Sequence, residues 1–140
     1  MEKVEKTIEV RCPVRAVYDQ WARFENLPAF MSSVTEVHQL DDTHLHCHAL
    51  IQGEAQELDA EIIDKLPNEY IAWKSLSGTP SVGVVHFESV GPQKTRVRLM
   101  MAYESRGAAE GTRKAVEQLG ARIQDTVEHF KSFIEARPGG

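Results

Sequence analysis

Residues 14–45 read VRAVYDQWARFENLPAFMSSVTEVHQLDDTHL, and this stretch decides the fold. Two short amphipathic helices are expected here, meeting at Leu27-Pro28, because the residue before a proline is pushed out of the helical region. A strand precedes them at residues 4–11. A strand pair follows, with its turn at Asp41-Asp42. Working outward, the chain becomes a strand, a broken helix pair, a long run of strands and one final helix. That order is a plan for enclosing a cavity.

The run of strands shows as alternation of period two, the mark of half-buried antiparallel strands. Ile8 and Val10 alternate with Thr7, Glu9 and Arg11. Leu45, Cys47, Ala49 and Ile51 alternate with His44, His46, His48 and Leu50. Leu58, Ala60 and Ile62 alternate with Glu57, Asp59 and Glu61. Ile71, Trp73 and Ser75 follow, then Val85 and Phe87, then Val97, Leu99, Met101 and Tyr103. Turn residues separate the runs at Asp41-Asp42, Gln52-Gly53, Pro67-Asn68, Gly78-Thr79-Pro80 and Gly91-Pro92. The result is about seven short-looped strands, an antiparallel sheet with one apolar face.

From about Thr112, the expected N-cap, the period becomes helical. Val116, Leu119, Ile123, Val127, Phe130 and Ile134 form one stripe, and Pro138 with two glycines ends the helix. About 25 residues at 1.5 Å each span roughly 37 Å, enough to cross a whole curved sheet. Gly120 sits inside this helix at a cost of about 1 kcal/mol against alanine. It marks either tolerated strain or the close approach of another backbone or a ligand.

The 140 residues suit one domain, residues 1–137, with a disordered tail at 138–140. The chain is 41% hydrophobic and 26% charged, with a formal net charge of −5. That balance argues against nucleic acid as a partner, which needs a basic face. No apolar run approaches the roughly 18 residues of a membrane span, so no integral membrane association is expected. MEKVEKTIEV at the start is charged and alternating, unlike a signal peptide. Cys12 and Cys47 lie far apart on expected strands; a disulfide between them is one reading, and two buried free thiols in a reducing cytoplasm is the favoured one.

In element order the chain resembles the START-like, Bet v 1-like helix-grip superfamily. More closely, it resembles the bacterial polyketide cyclase/dehydrase branch related to coenzyme-Q-binding proteins. The residues that carry this are Val14-x-x-Val17-Tyr18-x-x-Trp21-x-x-Phe24-Glu25-x-x-Pro28-x-Phe30-Met31 and Val34-x-x-Val37. Ile71-Ala72-Trp73-Lys74-Ser75, Val85-x-Phe87-Glu88-x-x-Gly91-Pro92 and Thr95-Arg96-Val97 fit the later strands. The resemblance implies an α+β helix-grip fold: a seven-stranded antiparallel sheet wrapped around a long C-terminal helix, with two short helices between strands 1 and 2. Members of that superfamily bind lipids, quinones and polyketides, or cyclise polyketides.

A bent sheet gripped by one straight helix leaves space between them, here expected to be reached past residues 21–31. The inward side chains that would line it are Trp21, Phe30, Met31, Leu45, Cys47, Leu58, Ile62, Trp73, Phe87, Met101, Tyr103 and Leu119. Ligand pockets are typically apolar with few polar groups. Catalytic machinery is harder to find. Glu57, Asp59 and Glu61 fall on the outer face, and Cys47 has no evident base to activate it. Tyr103, Trp73 and Ser75 are the inward groups able to orient a ligand. His44, His46 and His48 share the face opposite Leu45 and Cys47, which reads as a solvated surface; two of them could converge on one ion, three in a row less easily, and no metal and no cofactor is assigned.

The expected function is binding or transport of a hydrophobic or aromatic small molecule (a lipid, a quinone or a polyketide-like compound) without catalysis. The alternatives are a polyketide aromatase/cyclase or dehydrase, and a protein-interaction module. A cytoplasmic monomer or homodimer is expected.

Overall fold

The computed structural model describes residues 2–31, 34–51, 54–77, 81–103 and 109–136, with side chains for 3–31, 34–49, 55–77, 82–102 and 120–136. The alternating runs form seven strands: β1 (Glu2–Val10), β2 (Val34–Gln39), β3 (His44–Ile51), β4 (Glu54–Leu66), β5 (Tyr70–Ser75), β6 (Ser81–Gly91) and β7 (Lys94–Tyr103). They make one antiparallel sheet in the order β1-β7-β6-β5-β4-β3-β2. Strands β2 to β7 are joined as successive hairpins. β1 pairs instead with β7, from Glu2 opposite Tyr103 to Val10 opposite Thr95. The segment after β1 therefore carries the chain from one sheet edge to the other, through α1 (Val14–Ala22) and a 3₁₀ segment (Phe24–Ala29).

The break between these two short helices differs from the sequence expectation. It falls at Arg23, and Pro28 lies inside the 3₁₀ segment. The backbone bonds on either side explain why proline is tolerated. Asn26 N–H donates to the Arg23 carbonyl, and Phe30 and Met31 both donate to the Leu27 carbonyl. Pro28 has no N–H to give, and it is not the donor in any of these.

The turns show their chemistry directly. Asp41 Oδ1 accepts from the N–H groups of Thr43 at 2.9 Å and His44 at 2.8 Å, a side-chain-closed turn of the kind aspartate favours. Asn68 takes a φ of 67°, the left-handed conformation asparagine tolerates better than most residues. The expected turns at Gln52-Gly53 and Gly78-Thr79-Pro80 lie outside the described residues, as does the tail at 138–140. A bulge between Ile62 and Asp64 in β4 breaks the alternation and leaves Ile63 exposed.

Helix α2 (Ala109–Glu135) begins ahead of Thr112, which lies within it rather than capping it. Its stripe buries Ile123, Val127, Phe130 and Ile134, while the side chains of Val116 and Leu119 lie outside those described. The helix runs along β1. Gly120 faces Val4, Lys131 Nζ donates to the Glu9 carbonyl at 3.0 Å, and Glu135 accepts from the Arg11 N–H at 2.8 Å. The C-terminal end of α2 is thus pinned where β1 ends. Thr95, fully buried, donates its hydroxyl to the Cys12 carbonyl at 2.7 Å and fastens β7 to the same corner.

Candidate functional site

The concave face of the sheet is divided into a packed end and a half-buried end. At the packed end, rings from three elements interlock. Trp21 on α1 lies with ring centroids 5.0 Å from Phe30 and 4.9 Å from Phe130, and 6.3 Å from Phe87 on β6. Phe30 and Phe130 are also 4.9 Å apart. Trp21 and Phe30 are each 1% exposed and Phe130 is fully covered. Edge-on contacts at such spacings are the preferred aromatic geometry. The route past residues 21–31, expected as an entrance, is filled by these rings. Outside them, Glu25, Asn26, Pro28, Ala29 and Phe133 border a surface hollow of about 350 Å³.

Of the expected lining residues, Trp21, Phe30, Leu45, Ile62 and Phe87 are buried core. Met31, Cys47, Leu58, Trp73 and Met101 are half-buried. The side chains of Tyr103 and Leu119 lie outside those described. Strand register draws most of the half-buried group together. Cys47 pairs with Leu58 across β3 and β4. Ile62 pairs with Trp73, Trp73 with Gly83, Gly83 with Met101 and Met101 with Val4. The row from Ile62 to Val4 runs across five strands at the end of the face away from the aromatic cluster, and the Cys47–Leu58 pair lies four residues further along β4. Next to it, Lys3, Val4, Glu5 and Lys6 of β1 and Gly120, Ala121 and Gln124 of α2 border a cleft of about 610 Å³.

Gly83 determines how Trp73 lies. A Cβ at that glycine would meet the indole Cε2 and Cζ2 at 2.5 Å, closer than carbon atoms approach. The indole therefore rests against the bare backbone of β6. The missing side chain turns a tryptophan into a flat shelf on the sheet. The sequence shows Gly83 as an isolated glycine inside a strand run. Such a glycine often marks a close approach, but what approaches depends on the β5–β6 register.

Ionisable groups facing inward are few among the described residues. Burial raises the Cys47 thiol above its ordinary range, with a further push from Asp59. Burial also raises Cys12, with help from Glu135. Both cysteines are free, and both are kept as neutral thiols rather than nucleophilic thiolates. Gln20 on α1 is a group the sequence reading passed over. It is 4% exposed, and its Nε2 has no hydrogen-bond partner among the described residues.

The histidines lie on the convex face, opposite Leu45 and Ala49. They are held by carboxylates instead of standing free in solvent. His46 Nδ1 is 2.6 Å from Asp59 Oδ1, and its Nε2 is 3.1 Å from Glu57 Oε1. His44 Nδ1 is 2.9 Å from Asp41 Oδ1, and His38 Nε2 is 2.6 Å from Glu36. Asp59, then Glu57, raise the pKa of His46 above its ordinary value.

A seven-stranded antiparallel sheet gripping a C-terminal helix over an apolar face defines a helix-grip fold. The chain belongs to the family described as polyketide cyclase/dehydrase and lipid transport, whose profile matches residues 10–131. An uncharacterized 17.2 kDa protein of Streptomyces lincolnensis, from the melC2-rnhH intergenic region, is 36% identical over 138 residues, which cover 98% of this chain and 92% of that protein. Among solved structures, the Zhui aromatase/cyclase from Streptomyces sp. R1128 superposes with a TM-score of 0.83 at 18% identity, covering 99% of this chain and 98% of that one. The di-domain aromatase/cyclase BexL of the BE-7585A biosynthetic pathway gives 0.83 at 20% identity, with 96% of this chain matching 47% of that one. A START superfamily protein from Mycobacterium smegmatis gives 0.76 at 17% identity, covering 96% and 95% of the two chains. Among the described residues, no helix is long and apolar enough to cross a membrane.

Proposed function

We propose that this protein binds a flat, hydrophobic small molecule on the half-buried end of its concave face and holds it without chemical change. The observation that carries this reading is the Trp73 indole lying on Gly83, flanked through the strand register by Met101. A planar ligand stacking on such a shelf would gain the roughly 25 cal/mol per Å² that apolar burial yields. Aromatic stacking would contribute further. Cys47 and Leu58 would extend the apolar floor. The neutral Cys47 thiol, with no acid–base pair beside it among the described residues, supports carriage over catalysis. A quinone or a polyketide-like aromatic is the ligand class that fits.

The test is a titration with a soluble quinone analogue followed by tryptophan fluorescence. Saturable quenching is expected, and Trp73→Ala should weaken binding by roughly tenfold, the loss of a stacked aromatic contact plus its buried area. Gly83→Val should weaken it too, by displacing the indole. Affinity unchanged in both variants would remove this end of the face from the site.

The second reading is an aromatase/cyclase or dehydrase acting on a polyketide. It is favoured by the fold shared with the Zhui and BexL aromatase/cyclases. Incubation with a reactive linear poly-β-ketone separates the two. A carrier leaves the spontaneous product mixture unchanged, and a cyclase directs it to one ring pattern.

A further inference from the structure

The geometry points to a binding site for a single divalent cation of the Zn²⁺ class on the convex face of the sheet, formed by His46, His48 and Glu57 and oriented by Asp59. Alternation alone reads this strip as three solvated imidazoles. The register of β4 against β3 supplies what alternation omits. Glu57 stands directly opposite His48, and Asp59 directly opposite His46. Side chains opposite one another in an antiparallel pair have Cβ atoms about 4.5–5.5 Å apart, and diagonal neighbours remain in reach.

The three donor atoms already lie close to coordination distance from one another. His46 Nε2 is 3.1 Å and His48 Nε2 is 3.9 Å from the same carboxylate oxygen, Glu57 Oε1, and all three fall within 4.8 Å of each other. Tetrahedral Zn²⁺ with bonds of about 2.0–2.1 Å holds its ligands roughly 3.3 Å apart, so small rotations of His48 and Glu57 suffice. Two imidazoles and a carboxylate are a donor set suited to Zn²⁺, Ni²⁺ or Cu²⁺ and poorly suited to Mg²⁺ or Ca²⁺. The fourth position would face solvent.

Asp59 makes this more than a chance cluster. It holds His46 through Nδ1 at 2.6 Å, which leaves Nε2 aimed at Glu57. A carboxylate fixing the far nitrogen of a ligating histidine is the usual outer support of a metal-bound imidazole. Asp59 is itself held in place, its N–H donating to the Ser77 hydroxyl at 2.9 Å. A second trio, Glu36, His38 and His48, borrows the same His48. It lies partly on the edge strand β2, and His38 contacts Glu36 directly through Nε2, with no carboxylate behind its other nitrogen among the described residues. The β3–β4 trio is therefore the one assigned.

Tag-free protein titrated with ZnCl₂ near neutral pH, followed by calorimetry, should take up one equivalent with micromolar affinity. His48→Gln and Glu57→Gln should each weaken uptake by roughly tenfold or more, and His38→Gln should leave it unchanged. Asp59→Asn should weaken it by about 10–100-fold and alter the visible absorption of the Co²⁺-loaded protein, with Asp59→Glu restoring both. These positions lie on the outer face, so circular dichroism should confirm that each variant remains folded. No saturable uptake below about 1 mM, uptake that survives His48→Gln, or dependence on Glu36 and His38 in place of Glu57 would overturn the site.

Discussion

Gln20 carries a buried amide nitrogen with no partner among the described residues, and an unpaired buried donor forfeits the hydrogen bonds it makes in water. Methionine has a similar length and a similar helix propensity. Gln20→Met should therefore leave the melting temperature unchanged or raise it, a gain of up to about 1 kcal/mol. A loss of that size would show instead that the amide is bonded in solution. Asp41 gives the opposite case, a polar group with full employment. The Thr43 N–H and then His44 hold its carboxyl at about 2, below the ordinary 3.8. A carboxylate depressed on folding contributes stability above its unfolded pKa and loses it as pH falls through the folded value. The melting temperature should drop between about pH 4 and pH 2 with a contribution from this site. Asp41→Asn keeps an acceptor oxygen for the turn but has no such charge to lose, so its melting temperature should fall less steeply over that interval.

At the scale of elements, Gly120 in α2 offers a direct test of the two readings its position allows. A Cβ there would meet Val4 Cγ1 at 3.7 Å, an ordinary contact. Gly120→Ala should stabilise the protein by about 0.5–1 kcal/mol, the usual gain for removing a helical glycine, as measured by urea denaturation. A loss would mean that something must approach the helix more closely than Val4 does. The strands and the long helix were legible because their periods of 2 and 3.6 extend over many residues. The joint between the short helices was misjudged. A proline breaks an α-helix by withholding one N–H, and a 3₁₀ turn can be arranged so that this N–H is never needed. The site was only half legible. Alternation tells which way Phe87 and Trp73 point, the helical spacing of α1 does the same for Trp21, and all three point inward. Neither pattern tells that Phe30 and Phe130 close over Trp21, nor that Gly83 lies beneath Trp73. Those facts depend on register and helix placement between residues far apart in sequence. The same holds for Glu57 and Asp59, whose meeting with the histidines is set by the β3–β4 pairing.

For the whole molecule, the two tryptophans report on opposite ends of the concave face, Trp21 within the packed aromatic cluster and Trp73 on its shelf. If residues 1–137 fold as one cooperative unit, Trp21→Phe and Trp73→Phe variants, each keeping one reporter, should show fluorescence transitions that coincide with the loss of far-ultraviolet circular dichroism. Separate midpoints would divide the chain into two units. The sheet order carries a further consequence, in time. Among the described residues β1 has β7 as its one strand partner, with Glu2 opposite Tyr103. Synthesis proceeds at about 5–20 residues per second, so the first strand waits roughly 5–20 s for its mate to be made. Throughout that wait Val4, Ile8 and Val10 have no sheet to join, and the nascent chain must be kept from pairing them with a neighbour on the same messenger.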